Sequence, residues 1–292
     1  MNKQKFSDWH DKYYKKLLLI PLALLLLSVV YIGFFYTQNN DFIYKDISLT
    51  GGTSVTVYGS FEIDKLKTDL SKELDELNIR SIYDLLTREQ KAVIIETTLE
   101  GKSTKEIIES YLGYELNEEN SSFEFTGSIL SESFYNQLLL AILFAFIFMA
   151  FVVFVIFRTF IPSVAVIISA LADILMTLAL VDFFGIKMSS AGIVAFLMLI
   201  GYSVDTDILL TTRILKRNEG TLNYRIFGAF KTGITMTLTS LLAILFALIV
   251  VKSFSVILTQ IFTILVIGLG FDILNTWITN VSILKWYVEK KK

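Results

Sequence analysis

The sequence predicts an α-helical integral membrane protein with six transmembrane helices and an exterior α+β, ferredoxin-like domain set between the first two. Three observations carry this. Of 292 residues, 54% are hydrophobic and only 18% charged, above the roughly 45–50% apolar share of soluble domains. The apolar residues are gathered into six blocks, at 17–36, 138–157, 162–184, 188–210, 232–251 and 253–283, each meeting the ~20 residues that a span needs. Residues 37–136 are polar instead, with nine Lys/Arg against nineteen Asp/Glu.

Taken in order, residues 1–16 form a basic N-terminal segment and 17–36 the first helix. Its apolar run is too long for the core of a usual signal peptide, and no small-residue cleavage site follows, so the helix is expected to be retained. Orientation follows from Lys and Arg, which favour the cytoplasmic side. Residues 1–16 hold five Lys, the short loop at 158 holds Arg158, and the 211–231 loop and the 285–292 tail add nine more. The two short loops on the other side hold Lys187 and Lys252. Both termini are therefore expected in the cytoplasm and residues 37–136 outside, in a multi-pass protein of the cytoplasmic membrane.

Periodicity orders the exterior segment. Val55 and Val57 alternate with polar neighbours as in a half-buried strand. Ile63, Leu66, Leu70, Leu74 and Leu77 line one face of a helix. Strand-like runs follow at 79–86 and 91–97, then a short helix with Ile107, Ile108, Tyr111 and Leu112. Finally Phe123, Phe125 and Ile129 alternate again. That is the β-α-β-β-α-β order of a ferredoxin-like domain. The remaining helices fill 137–284, and 285–292 is the cytoplasmic tail.

Several functions are excluded by what is missing. There is no Cys, and the single His, His10, precedes the first span. Thiol chemistry, Cys-based metal centres and a His-based intramembrane protease are thus ruled out. Gly51-Gly52 lacks the Lys-Ser/Thr of a phosphate loop, and the basic residues are those that orientation requires. The chain is expected to be no enzyme, to hold no cofactor or metal, and to bind no nucleic acid.

The informative residues are acids inside spans. Asp173, Asp205, Asp207 and Asp272 lie within apolar blocks that contain no Lys, Arg or His. Each costs roughly 2.5–3.5 kcal/mol at mid-membrane. Asp182, two residues from a helix end, fits an interfacial location. Ser169, Asp173 and Thr177 make one helical stripe; Gly268, Asp272, Asn275 and Thr276 a second; Thr232, Thr235 and Thr239, with Thr237 and Ser240 beside them, a third. The three stripes are expected to share one interior seam. Asp205 and Asp207 lie about 200° apart on a regular helix, so one faces the seam and the other a partner chain or the cytoplasmic interface. The nearest bases are Lys231 and Arg213. Gly192 and Gly201 are expected to permit close helix contact.

One helix, an exterior domain opening at Ser48-Leu49-Thr50-Gly51-Gly52-Thr53, then five helices, resembles the SecF family of the Sec protein-export system. The Gly51-Gly52-Thr53 strand is similar to that family's signature, with Ser48-Leu49 departing from it. Gly201-Tyr202-Ser203-Val204-Asp205-Thr206-Asp207, running on to Arg213, resembles its fourth-helix motif in the Asp-Thr-Asp form of archaeal members. Lys231-Thr232-Gly233 resembles the fifth-helix start, where bacterial members carry Arg. The resemblance implies one half of a twelve-helix RND-superfamily unit, with SecD supplying the other half. It also implies association with the SecY/SecE translocon, contact with exported unfolded protein, and coupling to the proton-motive force. By position it places the proton relay at 205–207 with Lys231 as basic partner; the intramembrane acids Asp173 and Asp272 and the nearby Arg213 are further relay candidates from the reading of the residues themselves. A passive scaffold of the translocon is the alternative, and half of a small-molecule exporter is disfavoured by the small exterior domain.

Overall fold

The computed structural model describes residues 12–84, 87–217, 220–253 and 255–291. Lys3, Lys5, His10, Lys292 and the side chain of Ile129 lie outside the described residues. Six helices among those described are long and apolar enough to cross a membrane.

In chain order the elements are α1 (Leu19–Asn39), α2 (Ile47–Thr50), β1 (Gly52–Tyr58), α3 (Ile63–Leu70), β2 (Asn78–Tyr83), β3 (Gln90–Thr97), α4 (Gly101–Leu112) and β4 (Ser121–Thr126). The long helices α5 (Ser128–Phe157), α6 (Phe160–Phe183), α7 (Ser190–Lys216), α8 (Leu222–Val251) and α9 (Val256–Leu274) follow. A π-helical turn, Asn275–Asn280, joins α9 to α10 (Val281–Lys291), so the last span is one broken rod. Helix ends match local chemistry. Ser189, Thr221 and Ser255 cap α7, α8 and α9 through their hydroxyls, and Pro162 sits in the first turn of α6, where its missing N–H costs nothing.

The sheet is antiparallel in the order β2-β3-β1-β4, the arrangement that the β-α-β-β-α-β sequence order anticipates. Its core lies under α3 and α4, where Val55, Val57, Val93 and Ile95 meet Leu66, Leu70 and Ile108. The first helix of the domain is shorter than its apolar spacing suggests. It ends at Leu70, and Leu74 enters the same core from the turns that follow. Phe123 and Phe125 alternate as expected, but β4 is an edge strand and both rings stay exposed.

The opposite face is polar and forms a joint with the helices. Arg80 donates to Asp46 (3.1 Å) and, at closer range, to Glu96. Asp46 caps α2 by accepting from the Ile47 amide, and its own amide donates to the Met188 carbonyl in the α6–α7 loop. At the far edge of the sheet, the Tyr83 amide donates to the Ser253 carbonyl between α8 and α9 (2.9 Å). The sheet domain is thus fastened to two interhelical loops at one end of the bundle. Burial pushes the Glu96 carboxyl above its ordinary value, aided by the Asp46 charge and opposed by Arg80. The folded state therefore holds this proton more tightly than the unfolded chain does. The resulting stability is complete below the ordinary glutamate value and is lost as pH rises through the raised one. Hydrogen exchange of β3 amides, corrected for intrinsic rates, should show protection falling over that window in the wild type. The dependence should be absent in Glu96→Gln, and an equal pH dependence in both would reject the assignment.

In the helical part, many large apolar side chains face outward, while a set of polar ones is enclosed together with the apolar core. Leu27, Val30 and Phe34 on α1 and Phe144, Phe148 and Phe151 on α5 are exposed, whereas α6 and α7 are the most enclosed helices. A lipid-facing surface accounts for that exposure, since hydrocarbon solvates apolar side chains. The helix α7 touches α5, α6, α8 and α9, and any seam must run along it. The basic 211–231 stretch read from the sequence as a loop mostly adds length to two spans: α7 runs on to Lys216 and α8 begins at Leu222.

Candidate functional site

Three helices bring their polar stripes together. Ser169, Asp173 and Thr177 on α6, Asp207 and Thr211 on α7, and Asp272, Asn275, Thr276 and Asn280 on α9 and its π turn all have no exposed surface. Groups buried so completely need partners, and most find them across the seam. Asp173 accepts from Ser203 Oγ on α7 (2.5 Å) and from Asn275 Nδ2 (2.7 Å). Asp207 Oδ1 accepts from Asn280 Nδ2 (2.7 Å) and lies 2.9 Å from Thr276 Oγ1. Thr276 Oγ1 lies equally within reach of Asp272 Oδ1 (3.1 Å).

The chemistry follows from counting protons. A threonine hydroxyl donates one hydrogen, so Thr276 can serve only one of its two carboxylates as donor. The other contact becomes a hydrogen bond when that carboxyl carries a proton and donates to Thr276. One bound proton makes both Thr276 contacts hydrogen bonds, and the hydroxyl offers it a route between Asp207 and Asp272. The outer oxygens, Asp207 Oδ2 and Asp272 Oδ2, find no partner among the described residues, and the Ser169 hydroxyl lies beside Asp207 outside hydrogen-bond geometry. No Lys or Arg pairs with the three acids among the described residues.

Both donors to Asp207 lie on the π turn: Thr276 and Asn280, four residues apart and so on one face of the last span, reach the same carboxylate oxygen. Such turns recur at functional sites. The helix α8 can lie close because Gly233 leaves room for Trp277, whose ring a Cβ would meet at 2.5 Å.

The other candidates are placed elsewhere. Asp205 is exposed on the outer face of α7 beside Gly201 and Tyr202, while Ser203 points into the seam. Lys231 is exposed on α8 and has no ion pair among the described residues. Arg213 bonds the Gly228 carbonyl (2.5 Å) and the Thr232 hydroxyl (2.9 Å), clasping α7 to α8. Of the α8 threonines, Thr237 faces inward with Thr206 at 3.5 Å. Thr235 and Thr239 face outward, each bonded to its own helix, so the expected third stripe is not part of the seam. Gly192 permits close contact with Gln260, but Gly201 has open space before it. Asp182 is buried beneath the Asp41–Tyr44 stretch instead of lying at an open interface. Gly51, Gly52 and Thr53 form a backbone crossing: a Cβ on Gly51 would meet Ser128 backbone at 2.6 Å, and one on Gly52 the Thr97 carbonyl at 2.3 Å. Thr53 Oγ1 donates to the Leu99 carbonyl.

Sequence reasoning missed Asn280 and the bridging role of Ser203. Asn280 stands four residues beyond Thr276, so extending that stripe by one step would have found it.

Comparison with known proteins adds the family. Residues 107–290 match the model of "Protein export membrane protein SecD/SecF, C-terminal". The protein-export membrane protein SecF of Methanocaldococcus jannaschii is 42% identical over 284 residues, covering 96% of this chain and 97% of the relative. The chain belongs to the SecF family. The SecF protein of Methanolacinia petrolearia is 39% identical over 280 residues, with 94% of each chain covered. Among solved structures, SecDF from Thermus, described as a translocon-associated membrane protein, superposes with a TM-score of 0.72 at 19% identity. The match takes in 95% of this SecF-family chain and 38% of that one. SecDF in a super-membrane-facing form gives a TM-score of 0.54 at 18% identity, over 93% of this chain and 38% of that chain. These establish the fold of a six-helix membrane half with an inserted sheet domain.

Proposed function

We propose that this chain is the SecF half of a two-part membrane auxiliary of protein export, driven by protons that pass through the Asp173–Asp207–Asp272 seam. The observation that carries the reading is the single Thr276 hydroxyl set between two enclosed carboxyls. Moving one charge through the membrane field yields about 2.3 kcal/mol per 100 mV, enough to bias a conformational equilibrium of a few kcal/mol. Proton occupancy decides which carboxylate each of Ser203, Asn275, Thr276 and Asn280 serves, and so how α6, α7 and the last span pack. The sheet domain rides on the loops at one end of those helices and carries the change to the exported chain. Lys and Arg placement supports that end lying outside, with both termini in the cytoplasm.

The partner face is proposed on the outer sides of α7 and α8. Asp205 and Tyr202 on α7 and Lys231 on α8 are exposed there. A SecD half placed there would pair the two charges, and the assembled pair would work beside the SecY/SecE translocon.

The test is export of a reporter protein in vesicles carrying this chain and its SecD partner, with and without an imposed proton gradient. Asp207→Asn should lose stimulation by the gradient while the complex stays intact. Asp205→Asn should weaken recovery of SecD with the chain. Equal stimulation in wild type and Asp207→Asn would leave the passive scaffold as the better reading.

A further inference from the structure

At the end of the bundle away from the sheet domain, a cleft of about 470 Å³ opens between the ends of α5, α7, α8 and α10. Three cations line it, Lys216, Arg225 and Lys291. None has an acidic partner among the described residues. Two of them are held in place by rings: Lys216 Nζ lies 5.9 Å from the Phe157 ring centre, and Lys291 Nζ 5.9 Å from that of Tyr287.

Orientation in the membrane explains why basic residues are plentiful at this end, but not why these three converge on a cavity. Nor does it explain two polar atoms left over there. Arg225 spends Nη1 on the carbonyls of Ile214 and Arg217, while its Nε is buried without a partner. The Thr159 hydroxyl, also in the lining, is buried and likewise without one. A guanidinium N–H, a hydroxyl and two ammonium groups with no acid among them suit the oxygens of a phosphate.

We propose that this cleft binds the headgroup phosphate of an anionic phospholipid, which ties the α5–α6 turn and the end of α10 to α7 and α8. A lipid is favoured over a soluble phosphate by the remaining walls. Ile214, Leu215 and Val288 are apolar, and the adjoining face of α5 exposes Phe151, Val152 and Val155 along the path that acyl chains would take. Basic clefts between helices at the membrane surface are a known physical solution for anionic headgroups. The site is independent of the proton seam and of the export reading.

Native mass spectrometry of the full chain in a non-ionic detergent tests the inference. The probes are phosphatidylglycerol, phosphatidylcholine and, as a soluble competitor, glycerol 1-phosphate. Wild type should retain phosphatidylglycerol over phosphatidylcholine, and the Lys216→Gln/Lys291→Gln double variant should lose that retention by about tenfold or more. Lys65→Gln/Lys102→Gln, which removes the same charge from the sheet domain, should retain lipid as the wild type does. Equal retention by the cleft variant and the wild type would overturn the site. Equal binding of the two lipids, or full displacement by millimolar glycerol 1-phosphate, would overturn the lipid as its occupant.

Discussion

Valine in place of Thr276 is expected to cut gradient-stimulated export by about tenfold or more, matching the loss from Asp207→Asn. Valine has nearly the shape of threonine, so packing in the π turn survives and only the hydroxyl goes. With it goes the link between Asp207 Oδ1 and Asp272 Oδ1, since no other described side chain touches both. Asp207 keeps Asn280, but Asp272 loses its hydrogen bond within the seam. An orphaned buried polar group costs roughly 1–3 kcal/mol, so some loss of thermal stability should accompany the variant. A positioned proton-transfer group is typically worth 10²–10⁴-fold, and tenfold is therefore a conservative figure. Thr276→Ser, which restores the hydroxyl, should recover stimulation if the bridge is what matters. Reporter export with and without the gradient reads both variants. Full stimulation in Thr276→Val would remove the shared-proton mechanism, whatever the stability change.

The second large effect is structural. Gly52→Ala is expected to prevent the sheet domain from folding. Gly52 has φ +144°, a conformation that side chains rarely adopt, and its added Cβ would sit 2.3 Å from the Thr97 carbonyl oxygen. Thr97 pairs with Thr53 in the β1–β3 ladder, so the oxygen can retreat only by opening that ladder. Backbone strain of about 1–3 kcal/mol and overpacking of similar size together consume much of the stability of a small domain. Gly113→Ala makes the control. Its φ of +78° is also strained, but nothing lies within 4 Å of the new Cβ, so it should cost only about 1 kcal/mol. Thermal melting and protease resistance of the full chain distinguish them, and equal melting of the two variants would show that the backbone crossing is unimportant. The family-like Gly51-Gly52-Thr53 run is thereby a structural joint, made where the chain enters the sheet domain and leaves it for α5.

The sequence by itself determined the spans, because hydrocarbon accepts only long apolar helices and composition reports length directly. It also determined the order of strands and helices in the sheet domain, since periods of 2 and 3.6 are local properties. Two of the three polar stripes were legible in the same way. What it left open was direction. Two-residue spacing puts Asp205 and Asp207 on opposite sides of α7, yet which one is enclosed depends on where α6 and the π turn present Ser169, Thr276 and Asn280. The α8 threonines show the same limit from the other side. A threonine can bond the carbonyl four residues back, as Thr235 and Thr239 do, so it faces lipid without penalty and a threonine stripe does not mark an interior. An ionised aspartate has no such remedy in its own backbone, because its oxygens then only accept, and the helix has no free N–H to offer. Asp173 and Asp207 take their donors from other helices, and Asp272 shares the Thr276 hydroxyl of its own span with Asp207 across the seam. That is why the tertiary structure, not the sequence, decided the site.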